Sequence, residues 1–474
     1  MSRTIVFFAV LVLASPALVA GQLATELSSQ VRNRYVRIAA PAYVLRNVTL
    51  VDGTGAEPRR GVSVVVEDGR ITQVGTNVDI PQDADVLTYS GHTLIPGLVG
   101  LHDHLFYTAA GGRLAQMGFT GPRLYLGAGV TTIRTTGSVQ PYAEINLKAD
   151  IEAGRTPGPR VHITAPYIDG PGGLEGNVQL TSPEQARRFV SYWGEEGATW
   201  IKAYTAVGRA EMSAVIDEAH KRGMKVTGHI CSISFTEAVE MGFDNVEHGL
   251  LANTDYNPDK QPDECPPRNG AIIENLDIRG PEVEATFRKM IDAGVGMTST
   301  LAVYELFVPN RPTKDARSLE AMAPEVREAY LASKELIDSN PTPGISQRMF
   351  GNSMAYELRF VEMGGLLANG VDPTGNGGAL PGYGDQRGVE LLMEAEFSFP
   401  QAIQIAALNG AKILEVDDDL GSIEVGKIAD MVLLRGELTN DPSIIRNTVI
   451  VFKDGVGYDS RALLDEVKGR VGIN

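Results

Sequence analysis

From residue 94 to about residue 414 the chain repeats one unit, a short apolar strand followed by an amphipathic helical stretch. The strand-like runs fall at 98–102, 130–135, 161–165, 200–204, 225–229, 245–247, 295–300 and 366–370. Helical periodicity lies between them, as at 183–195, 209–222 and 281–293. A helix between two strands favours parallel pairing. Eight such units specify a (β/α)8 TIM barrel, which needs roughly 250 residues. Two stretches are long and irregular: 252–280, rich in Pro, Asp and Asn, and 374–388, rich in Gly. They follow the sixth and eighth strands, on the carboxyl side where barrel active sites are built.

The flanks have a different texture. Residues 43–91 read as a small antiparallel β unit, with β-branched runs at 43–51 and 62–66 and an Asp68-Gly69 hairpin signal. Strand texture returns at 421–434 and 447–454 and is expected to pair with the amino-terminal unit. The expected division is therefore a signal peptide at 1–21, a β-sandwich domain built from 22–93 and 415–474, and the barrel at 94–414.

The signal reading rests on Arg3, the apolar run from Ile5 to Leu13, and small residues at Ala17, Ala20 and Gly21. It implies a periplasmic or secreted protein with no membrane segment once mature. Two cysteines occur, Cys231 and Cys265. In an exported protein they can pair, and two separate buried thiols are an equal reading. The net charge of -17 argues against nucleic acid or an anionic membrane as partner, since both need clustered Lys and Arg.

The chemistry begins at His102-Asp103-His104. Side chains two apart in a strand point the same way, so the two imidazoles project together and suit a borderline metal such as zinc. Alone the pattern is weak. The barrel adds His229 at the end of the fifth strand, His248 at the end of the sixth and Asp372 at the end of the eighth. Five such side chains converge on one mouth, which makes a metal site the leading reading. Lys202 ends the fourth strand and shares a face with Trp200 and Tyr204. Desolvated beside cations, it favours the neutral amine, which can add carbon dioxide and become an anionic bridging carbamate. An ordinary lysine paired with a carboxylate is the alternative.

At this point the chain resembles the amidohydrolase superfamily, in particular the branch of imidazolonepropionases and exported Xaa-Pro and acyl-amino-acid hydrolases, including ochratoxin-hydrolysing amidases. The resemblance is carried by Pro96-Gly97 running into His102-Asp103-His104, Ile201-Lys202, Gly228-His229, Val246-Glu247-His248-Gly249, Val371-Asp372-Pro373-Thr374-Gly375, and the stretch from Gly421 to Asp430. It implies that His102, His104 and Asp372 hold one zinc, that His229 and His248 hold another, and that carboxylated Lys202 bridges them. Such ions sit about 3.5–4 Å apart and share a hydroxide. Asp372 is then the acid–base residue. Many relatives carry Thr or Ser where Val371 stands, a departure that bears on a supporting hydrogen bond and not on the ligand. The implied activity is hydrolysis of peptide-like or N-acyl amino-acid amides by an enzyme that forms homo-oligomers. Cyclic-amide hydrolysis and a non-catalytic exported binding protein are the alternatives.

Other residues carry weaker expectations. Tyr204, Tyr107 and Arg134 are candidates to face a small-molecule substrate. His162 reads as core or supporting, His220 as solvent-facing, and His92 as part of the β unit. Glu247 is expected to point away from the metals. The run from Gly375 to Gly378 lacks the Lys-Ser/Thr of a nucleotide loop and reads as a flexible rim. Asn47-Val-Thr49 matches a glycosylation acceptor.

Overall fold

The computed structural model describes residues 26–312, 315–437 and 441–473; the expected signal segment lies outside them. The fold is mixed α/β. Eight strands fall close to their expected positions: β1 (Leu98–Asp103), β2 (Val130–Thr135), β3 (Arg160–His162), β4 (Trp200–Ala203), β5 (Lys225–Gly228), β6 (Asn245–Glu247), β7 (Gly296–Ser299) and β8 (Leu367–Asn369). β2 pairs in parallel with β1 and β3, β4 with β5, and β7 with β6 and β8. Thr164, just after β3, bridges Trp200 in parallel. Asp244 N donates to Val226 O at 3.0 Å and ties β6 to β5. Asp372 N donates to His102 O at 2.7 Å, returning from the end of β8 to β1.

Helices cover these strands with their apolar faces. The helix Pro183–Glu195 shows how they are set locally: Pro183 opens its first turn, and the Ser182 hydroxyl accepts from Gln185 N. Ala186 and Val190 are its buried residues and join the large apolar cluster that includes Ile201, Val226 and Val246.

A nine-stranded sheet holds a second cluster, with Tyr43, Val64, Leu94, Met431 and Phe452 in its core. Its hairpin turns at Asp68 and Gly69, both at positive φ (47° and 78°), as the tight turn requires. The strand Met431–Arg435 pairs antiparallel with His92–Pro96, so both chain ends build one sheet. The amino-terminal part is not wholly antiparallel as expected: Ala42–Leu50 pairs in parallel with both Asp85–Thr88 and His92–Pro96. The expected loop at 374–388 is also shorter than read. The helix Tyr383–Glu394 takes over its second half, because the Asp385 carboxylate accepts from Gly382 N at 2.9 Å and caps it. No helix among the described residues is long and apolar enough to cross a membrane.

Candidate metal centre

The carboxyl ends of β1, β4, β5, β6 and β8 bring six side chains together. His102 and His104 leave β1 with ring centroids 5.3 Å apart. Asp372, just beyond β8, lies with Oδ2 3.6 Å from His102 Nε2 and Oδ1 3.3 Å from His104 Nε2. Lys202 Nζ donates to His102 Nε2 at 2.9 Å. The His248 ring is 4.5 Å from that of His102 and 4.3 Å from that of His229. All are buried except His229, which is half-buried. His102, His104 and Asp372 place one donor atom each within 4.8 Å of the others, close enough to share an ion.

The backbone is bent to allow this. His248 and Asp372 sit at positive φ, 72° and 46°, a region that costs non-glycine residues energy and recurs at functional sites. Gly370 lets the chain approach β1, since a Cβ there would run into His102. Outer partners fix the rings. His102 Nδ1 donates to Glu247 Oε2 at 2.8 Å and His104 Nδ1 donates to Gly137 O at 3.3 Å. Each Nε2 lone pair therefore faces the centre. His248 Nδ1 pairs with Thr300 Oγ1 at 2.7 Å.

The electrostatics suit a cation. Burial pulls His104 down to about 4 and His229 to about 3, so both are neutral ligands at pH 7. His248 Nε2 is buried without a hydrogen-bond partner, an arrangement that a bound ion would satisfy. Burial alone would raise the Asp372 carboxyl, but His102 and His104 hold it well below its usual range. Burial lowers Lys202 to about 8. Four imidazoles, each lowered by burial, a carboxylate and an accessible amine make a donor set fit for divalent metal.

The amidohydrolase family model matches residues 93–255 and 382–458, just over half of the chain. The chain belongs to the amidohydrolase family. That is a family of hydrolytic enzymes acting on carbon–nitrogen bonds. The matched segments contain His102, His104, Lys202, His229 and His248; Asp372 falls between them and joins the site through geometry. The dihydroorotase of Mycobacterium tuberculosis is 36% identical over 89 residues, 19% of this chain and 20% of that protein. This chain thus matches only a fifth of that relative's length. Likeness to solved structures runs further. A candidate prolidase from Bifidobacterium longum is 26% identical, with a TM-score of 0.61 over 90% of this chain and 98% of that one. An Xaa-Pro dipeptidase solved with bound methionine gives a TM-score of 0.65 at 20% identity, over 88% of this chain and 100% of that one.

Around this amidohydrolase site, some expected residues arrive and others do not. Tyr204 does: its ring lies 5.0 Å from His229 and 5.7 Å from Tyr167. Arg134 does not face substrate. It is fully buried on β2, donates to Glu247 Oε1 at 2.6 Å and stacks on Trp200. Tyr107 is also buried, donating to Gly377 O at 2.6 Å within a separate apolar cluster. That bond pins the glycine run, so it is not a free rim. Glu247 corrects another expectation: it points inward to His102, Arg134 and Thr227. Strand alternation fails there because His248 leaves the extended region.

Tyr167 and Tyr304 escaped sequence reading. The Tyr167 hydroxyl donates to His104 Nε2 at 3.3 Å, and the Tyr304 ring lies 5.5 Å from that of His248. Their only sequence signal was position just past a strand end. His162 sits on β3 away from the cluster, and burial lowers it to about 3. His220 reaches Asp244 on the surface at 3.0 Å. Cys231 and Cys265 form a disulfide with Cα atoms 4.9 Å apart, and neither is buried, so the reading of two buried thiols is set aside.

Proposed function

We propose that the protein is a binuclear metal-dependent hydrolase that cleaves the amide bond of peptide-like or N-acyl amino-acid substrates. The observation that carries this reading is the meeting of His102, His104, Lys202, His229, His248 and Asp372 around one buried point. We read the eight parallel strands as a closed (β/α)8 barrel over residues 94–414, with a β-sandwich domain from 22–93 and 415–474. His102, His104 and Asp372 would hold one zinc, and His229 and His248 the other. Lys202, carboxylated on Nζ, would bridge them. Its neutral amine adds carbon dioxide, forming an N–C bond and releasing one proton. Bound ions would supply a Lewis acid and hydroxide at neutral pH.

The chain's own residues do the rest. Asp372 takes a proton on its carboxylate and returns it to the leaving amine. Thr374 Oγ1 donates to Asp372 Oδ1 at 2.9 Å and holds that carboxylate in place. The Tyr167 hydroxyl, on His104 Nε2, and the Tyr204 ring, beside His229, flank the centre, where they can orient a substrate carbonyl. Glu247 keeps His102 in one tautomer.

We also propose export through the 1–21 signal, a reading that the disulfide supports, and a homo-oligomeric enzyme. Zinc stoichiometry after dialysis, followed by a panel of dipeptides and N-acyl amino acids, tests the function. Two equivalents of zinc and turnover of at least one amide are expected. Binding of no metal would overturn it. Cyclic amides belong in the same panel, since an imidazolonepropionase of Vibrio cholerae shares 36% identity over 66 residues.

A further inference from the structure

A cavity of about 340 Å³ opens beside the metal centre, with His229 and Tyr304 at its inner end. That volume lies at the lower end of small-ligand pockets. Its walls are mostly apolar, with Ile230, Ile272, Leu276, Ile345 and Met349 among them. One cationic side chain lines it, Arg268.

Other arginines, among them Arg46, Arg60 and Arg188, also lack a carboxylate partner among the described residues, but only Arg268 lines this cavity. It is exposed, and it makes no ion pair or hydrogen bond with any described residue. The chain has 59 acidic side chains against 42 Lys and Arg, so carboxylates are plentiful, and many other arginines have taken one. Its charge nevertheless reaches the site, where it acts on Tyr204 and Tyr304. Its position is also held. Cys265, three residues earlier, is bonded to Cys231, two residues after His229. The disulfide therefore fixes the start of the Arg268 segment against the strand end that carries a metal-site histidine. A guanidinium left free on an apolar wall is a built receptor for a carboxylate.

We propose that Arg268 receives the free carboxylate of the substrate's leaving amino acid, and that the cavity takes that residue's apolar side chain. This rests on the amide-hydrolase reading and narrows it to N-acyl or peptidyl amides whose carboxyl-terminal residue is a bulky apolar amino acid with a free carboxylate. Interior amides of a longer chain, or blocked carboxamides, offer no anion to the arginine.

The test compares N-acetyl-phenylalanine with its carboxamide on zinc-loaded wild type, Arg268→Gln and Arg268→Lys. A charge-assisted pair is worth roughly 10–100-fold in affinity. The wild-type preference for the free acid should fall by about that factor in Arg268→Gln, through KM more than kcat, and return in part in Arg268→Lys. An unchanged preference in Arg268→Gln would overturn the proposal. Calorimetric binding of phenylalanine to the same three proteins separates the two readings. If wild type binds phenylalanine and Arg268→Gln binds it about 10–100-fold more weakly, the pocket stands even should no amide be cleaved. If both bind equally, or neither binds, the pocket assignment fails while the hydrolase reading rests on its own panel.

Discussion

Glu247 Oε2 accepts from His102 Nδ1 at 2.8 Å, while its Oε1 accepts from Arg134 at 2.6 Å. Burial alone would raise this carboxyl, but Arg134 and His102 hold it below its ordinary range. It is thus an anion at neutral pH, and it makes the His102 ring a stronger donor. Outer partners of this kind change metal affinity roughly 10–100-fold. Glu247→Gln should bind zinc more weakly by about that factor, read by competition with a chelating dye. An unchanged affinity would remove Glu247 from the support of the site.

Asp372 combines a ligand position with the proposed proton transfer. Asp372→Asn keeps an oxygen donor but loses the proton acceptor. We expect retained zinc and turnover lowered by roughly 10²–10⁴-fold. Metal content by atomic absorption, measured beside kcat, separates the two effects. Near-normal kcat would assign the base role elsewhere.

Lys202 makes a signed prediction about pH. Burial lowers its folded-state value to about 8 from the ordinary 10.5. Between those values the unfolded chain binds more protons than the folded one, so stability rises with pH across that window. Below pH 8 the metal-free protein bears the full penalty of charging a buried amine. Metal-free Lys202→Met should then be more stable than wild type at pH 7 by up to about 3 kcal/mol. The gap should close above pH 10.5. Urea melts at pH 7 and pH 10.5, free of bicarbonate, check this.

The Cys231–Cys265 bond closes a loop with a sequence separation of 34. In the chain-entropy picture such a cross-link stabilises by roughly 3–4 kcal/mol. The double serine variant should unfold at lower denaturant concentration by that amount. It should also bind apolar amino acids more weakly, because the cavity wall is no longer tethered. Calorimetry with phenylalanine reads the second effect.

Much of the fold was legible because apolar period and strand length agree in every central unit. β2 and the helix Pro183–Glu195 run over the very residues that the pattern marks. Five residues of the candidate centre were legible for the same reason: each stands at or just past the carboxyl end of a strand that the apolar pattern locates. What escaped depends on departures from regularity. Glu247 shares the inward face of Asn245, and His248 joins it there because it adopts φ 72°; no local pattern announces a left-handed histidine. Arg134 and Tyr107 lie near strand ends, yet one is captured by Glu247 and the other by Gly377, partners more than 100 residues away in sequence. The disulfide and the half-helical segment after β8 likewise follow from tertiary neighbours.

Pro96 pairs with Met431, Gly97 N donates to Asp430 O at 2.9 Å, and β1 with His102 follows at once. The strand that carries His102 is thus seated by a segment that follows all six proposed ligands in the chain. A nascent chain halted before residue 431 has all six proposed ligands but not the brace that aligns the first of them.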